Sequence, residues 1–94
     1  MDDAGARVGP AVHGVVETEV DESIALLHPD SSQVYVLNAT AADVWRLSDG
    51  ELTLDGVVAA LAVAYGATPE SIRAEVAATV GRLRDDGLLM PAGG

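Results

Sequence analysis

The chain has 94 residues, with five arginines and no lysine against 15 acidic residues, a formal charge of −10, 49% hydrophobic residues and no cysteine. A chain this short supports one small core and not two, and without cysteines it has no disulfide framework, no thiolate metal site and no cysteine nucleophile. A strongly acidic chain repels phosphate backbones and anionic lipids, which proteins bind through clustered Lys and Arg, so neither nucleic acid nor a membrane surface is an expected partner.

Taken in chain order, residues 1–11 are small and polar with Gly and Pro, and residues 91–94 close the chain in the same way. Both read as flexible tails, leaving a folded unit over residues 12–90. No stretch has the pattern of a secretory signal, and the longest apolar run, residues 57–65, is far below the roughly 20 residues that a membrane span needs. The expected location is the cytoplasm.

Val16, Thr18 and Val20 alternate with Glu17, Glu19 and Asp21, the period-two signature of a strand whose acidic side faces water. A short apolar run from Ser23 to His28 follows, then Pro29-Asp30-Ser31-Ser32, whose residue types favour a turn, and then Val34-Tyr35-Val36-Leu37. Three short strands with tight connections predict an antiparallel meander. The period then changes. Thr40-Ala41-Ala42-Asp43 has the form of a capping box, opening a helix of about nine residues that Asp49-Gly50 ends. Thr53 caps a second helix with an apolar stripe of Leu54, Val57, Val58, Leu61, Ala62 and Tyr65, stopped by Gly66. Thr68-Pro69-Glu70 opens a third with Thr as N-cap and Pro where its missing donor costs nothing; its stripe is Ile72, Val76, Val80 and Leu83, and Gly87 ends it. The expected fold class is α+β, with Trp45, the largest apolar side chain, near the centre. The third strand carries neither Pro nor Lys to blunt its edge, which leaves it open to pairing with another strand.

Chemistry-bearing patterns are weak. Glu17, Glu19, Asp21 and Glu22 read as a solvated strand face, and Asp49, Glu51 and Asp55 fail as a calcium loop because the twelfth position from Asp49 is Ala60. His13 and His28 have no partner at ligand spacing, so no metal is expected. The serines and threonines sit at turns and caps, outside any Gly-x-Ser-x-Gly setting, and without lysine there is no phosphate-binding Gly-x-x-x-x-Gly-Lys loop. No enzyme and no cofactor are expected. Arg73, Arg82 and Arg84 share the third helix with Glu70, Glu75, Asp85 and Asp86, and their spacing reads as i,i+3 and i,i+4 pairs: Glu70 with Arg73, and Arg82 with Asp85 and Asp86.

The stretch Leu37-Asn38-Ala39-Thr40-Ala41 with Trp45, the Asp49-Gly50 pair, Val57-Val58 with Leu61 and Tyr65, and the closing Leu83-Arg84-Asp85-Asp86-Gly87-Leu88-Leu89 resemble the PqqD family. These are small peptide chaperones of pyrroloquinoline quinone biosynthesis and their relatives, and the resemblance covers residues 16–90. It implies a winged-helix-like fold, a three-stranded antiparallel sheet followed by three helices, which recognises ribosomally made precursor peptides. In that family the leader peptide adds as a strand to the third strand, in the cleft beside the third helix. Carried over, the peptide-binding residues are Gln33, Val34, Tyr35, Val36 and Leu37 on the strand, and Ile72, Arg73, Val76, Thr79, Val80 and Leu83 on the helix. Arg73 and Thr79 are the strongest candidates for direct contact, because the apolar members of the helix set also serve the core, and Arg73 would meet acidic leader side chains. The implied partners are a precursor peptide and a modifying enzyme such as a radical enzyme or a leader peptidase, in a quinone-like, lasso-peptide-like or related pathway. Two rival readings stand: a winged-helix nucleic-acid binder, which the charge disfavours, and a structural homodimer paired through the open edge. Monomer and homodimer both remain open.

Overall fold

The computed structural model describes residues 7–90. Strand β1 (Val16–Val20), β2 (Ser23–Leu27) and β3 (Val34–Leu37) are followed by helices α1 (Ala39–Leu47), α2 (Leu54–Tyr65) and α3 (Pro69–Asp85). The strands form one antiparallel sheet in the order β1-β2-β3, as the meander pattern predicts. Ile24 and Leu26 of β2 and Leu37 of β3 point to one face and are buried under Val44, Trp45, Val57, Val58, Leu61, Val76, Val80 and Leu83 of the helices. Among the described residues, no helix is long and apolar enough to cross a membrane.

The helix boundaries follow their caps. Thr53 accepts from the Gly56 N–H and Thr68 from the Ser71 N–H, as the sequence indicates, and Gly66 ends α2 in the left-handed region. At α1 the cap is Asn38 rather than Thr40: its Oδ1 accepts from the Ala41 N–H at 2.9 Å, so the helix starts one residue before Thr40. Asn is as good an N-cap as Thr, and it stands where β3 ends with extended backbone, so the strand runs straight into the helix.

Strand β1 turns the opposite way from the expectation. Its register sets Glu17 opposite Leu26 and Glu19 opposite Ile24, and directly opposed residues share a face. The acidic side chains therefore lie on the helix side of the sheet, where the Trp45 indole N–H donates to Glu17 at 2.7 Å and Arg46 meets Glu19 at 3.1 Å. The strand is a rim strand, so these carboxylates stay exposed while sharing the covered face. Val16, Val20, Leu27, Val34 and Val36 occupy the other, uncovered face, at 39–72% exposure.

The boundary between a tail and a folded unit at Ala11 also moves. Val8 is fully buried. Its N–H donates to the Leu52 carbonyl and its carbonyl accepts from Gly50, both at 2.8 Å, while Val12 N–H donates to Leu88 and Met90 N–H to Pro10. Residues 7–12, with Val8 as their buried anchor, thus clip the α1–α2 loop to the chain that follows α3. The remainder of the expected tails, residues 1–6 and 91–94, lies outside the described residues.

Tyr65 leaves the α2 stripe: it is 44% exposed, and its hydroxyl donates to the Asp43 carboxylate of α1. Partial burial, and then the hydrogen bond to Asp43, push the phenol from 10.0 up to about 12. The folded state holds this proton more tightly than the unfolded chain, so the stabilisation is complete below pH 10.0 and is lost as pH rises through about 12. In a Tyr35→Phe variant, where Tyr65 is the remaining tyrosine, phenolate absorbance is expected to develop with a midpoint near 12 and to shift down on adding Asp43→Asn. A midpoint at the ordinary tyrosine value in the folded protein would refute the contact.

Candidate peptide-binding groove

Strand β3 is an edge strand of the sheet, and the parity of its ladder decides which backbone groups are free. The His28 N–H donates to the Gln33 carbonyl at 2.9 Å, and the pairing continues with Leu27 opposite Val34 and Leu26 opposite Tyr35. Hydrogen-bonded pairs alternate with non-bonded pairs in an antiparallel ladder, so Tyr35 and Leu37 bond inward to β2. Val34 and Val36 therefore turn their N–H and C=O groups to the free edge. No strand pairs with that edge among the described residues.

Beside it lies a groove of about 260 Å³ between β3 and the C-terminal half of α3. Val34, Tyr35, Val36, Leu37 and Ala41 form one wall; Thr79, Arg82, Leu83 and Asp86, at helical spacing along one face of α3, form the other, with Leu88 at the end. The floor is apolar and the helix rim carries one cation and one anion. Thr79 is buried and its hydroxyl donates to the Glu75 carbonyl at 2.9 Å, which leaves the hydroxyl oxygen able to accept.

Of the residues expected at the site, Val34, Tyr35, Val36, Leu37, Thr79 and Leu83 line this groove. Gln33 is not part of the lining, but its Oε1 accepts from the hydroxyl of Tyr35, which is, at 2.7 Å. Val76 and Val80 are buried in the core, and Ile72 is partly buried against it. Arg73 is not in the groove: it pairs with Asp55 of α2 at 2.5 Å. The expected Glu70 to Arg73 pair is thus replaced by an ion pair between helices, and Arg82 makes no ion pair with Asp85 or Asp86 among the described residues. Sequence reasoning missed Ala41, Arg82, Asp86 and Leu88. The signal was present in the i, i+3, i+4, i+7 spacing of Thr79, Arg82, Leu83 and Asp86, a face that shares Leu83 with the apolar stripe and is rotated to one side of it. No group of three His, Cys, Asp or Glu side chains converges on a metal-sized site among the described residues.

Residues 23–89 match the model of the family described as coenzyme PQQ synthesis protein D (PqqD). Among solved structures, TbiB1 in complex with the TbiA(beta) leader peptide superposes with a TM-score of 0.78 at 19% identity, covering 89% of this chain and 98% of that one. At that identity the likeness establishes the shared fold. No curated protein matches the chain.

Proposed function

The chain belongs to the PqqD family, and from that premise we propose that it captures the leader region of a ribosomally synthesised precursor peptide by strand addition to β3. The observation that carries this reading is the unpaired edge of Val34 and Val36 running alongside an apolar groove. Strand addition draws its affinity from main-chain hydrogen bonds and its selectivity from pockets for alternate side chains, and these two features supply both. The fold shared with TbiB1, a protein whose structure contains a leader peptide, supports the same reading.

The module is non-catalytic. It holds the leader and leaves the core of the precursor free for a modifying enzyme or a leader peptidase in the cytoplasm, in a quinone-like, lasso-peptide-like or related pathway. Amide NMR titration with synthetic leader peptides, taken from the precursors encoded beside the gene, tests it. Saturable shifts are expected at residues 33–37 and at Thr79, Arg82 and Leu83. Binding whose shifts fall elsewhere, or the absence of binding by every such peptide to a well-folded sample, would overturn it.

A further inference from the structure

Most of the arginines are spent within the fold. Arg46 pairs with Glu19 and Asp43, Arg73 pairs with Asp55, and Arg84 donates to the Arg7 carbonyl. Arg82 is exposed, makes no ion pair or side-chain hydrogen bond among the described residues, and stands on the rim of the groove. In a chain of net charge −10, an unused guanidinium beside an apolar groove is a local exception to the surrounding field.

Building on the leader-capture reading, we propose that Arg82 selects an acidic side chain of the bound strand. A peptide hydrogen-bonded to Val34 and Val36 places every second side chain on the face shared by Tyr35 and Leu37, which is the groove side. There an apolar side chain meets Leu37, Leu83 and Leu88, and a neighbour two residues away meets the α3 rim. A guanidinium offers a carboxylate two parallel N–H donors, a fit that no amide reproduces. Asp86, one turn on at the C-cap of α3, adds its charge to the negative end of the helix dipole. The groove is therefore polarised, and the acid belongs beside Arg82 and away from Asp86. The ligand class is an extended segment with an apolar side chain and, two residues from it, Asp or Glu.

The test is a selection from a random peptide display library on the full chain and on an Arg82→Glu variant, with each enriched peptide checked for amide shifts at residues 33–37. Wild type is expected to enrich Asp or Glu two positions from an apolar residue, and the variant to enrich Lys or Arg there. Changing the selected acid to its amide should weaken wild-type binding by about three- to fivefold, the upper part of the range for an exposed ion pair, and should leave binding to Arg82→Gln within about twofold. Enriched peptides that shift β3 but show no charge preference in either protein would overturn the role of Arg82 and leave leader capture standing. A selection that yields no peptide shifting β3 would overturn both.

Discussion

A Val36→Pro variant is expected to stay folded and to lose at least about tenfold in affinity for the leader peptide, because the proline removes an edge donor and leaves a peptide carbonyl unpaired. The ladder parity makes this separation of folding from binding possible. Val36 turns its N–H to the free edge and its side chain, 72% exposed, to the uncovered face of the sheet, so neither contributes to the β2–β3 pairing or to the core. Tyr35→Pro is the contrasting case: its N–H belongs to the β2 ladder, and its loss should lower stability. Affinity by calorimetry and melting temperature by circular dichroism, measured on both variants, decide the matter. Unchanged affinity in a folded Val36→Pro protein would show that the peptide does not add to this edge.

The second large effect concerns the segment that precedes β1, which pairs with residues 88–90 and with the α1–α2 loop. Gly9→Ala is expected to cost about 3 kcal/mol, combining the left-handed backbone penalty with overpacking. Gly9 has φ +89°, and a Cβ built there falls 2.1 Å from the Ser48 carbonyl oxygen and 2.6 Å from its carbon, both backbone atoms that cannot rotate away. For a domain of this size the melting temperature should drop by roughly 10–25 °C. Gly66→Ala isolates the conformational part: φ is +66° there with nothing within 4 Å of the added carbon, so the cost should stay near 1–2 kcal/mol. Equal melting temperatures for Gly9→Ala and the parent protein would mean that residues 7–12 do not clip the α1–α2 loop in solution.

The helical half of the fold and the strand order were legible in the sequence because their signals are local. Thr53, Thr68 and Gly66 act on backbone groups within a few residues, and a period of two or 3.6 is a property of the segment that carries it. The open edge of β3 was legible for the same reason, since Pro and Lys are either present in a strand or absent from it. Local signals also misled where two candidates competed: Asn38 and Thr40 both suit an N-cap, and only the path of the chain out of β3 selects Asn38.

What the tertiary structure alone decided are the choices between two equivalent directions. Alternation in β1 identifies two faces but not which one the helices cover; that follows from pairing with Ile24 and Leu26, whose burial fixes the covered side and carries Glu17 and Glu19 with it. Val8 looks like a tail residue because nothing periodic surrounds it, and its burial depends on a gap bounded by residues far along the chain. Arg73 and Arg82 each have an acid within one turn on α3, yet one lies against Asp55 of α2 and the other on the rim of the groove. Composition and periodicity thus determined which elements form and that β3 offers an edge. Which side chains meet across them depends on how the elements are rotated against one another, a non-local quantity that no short window of sequence contains.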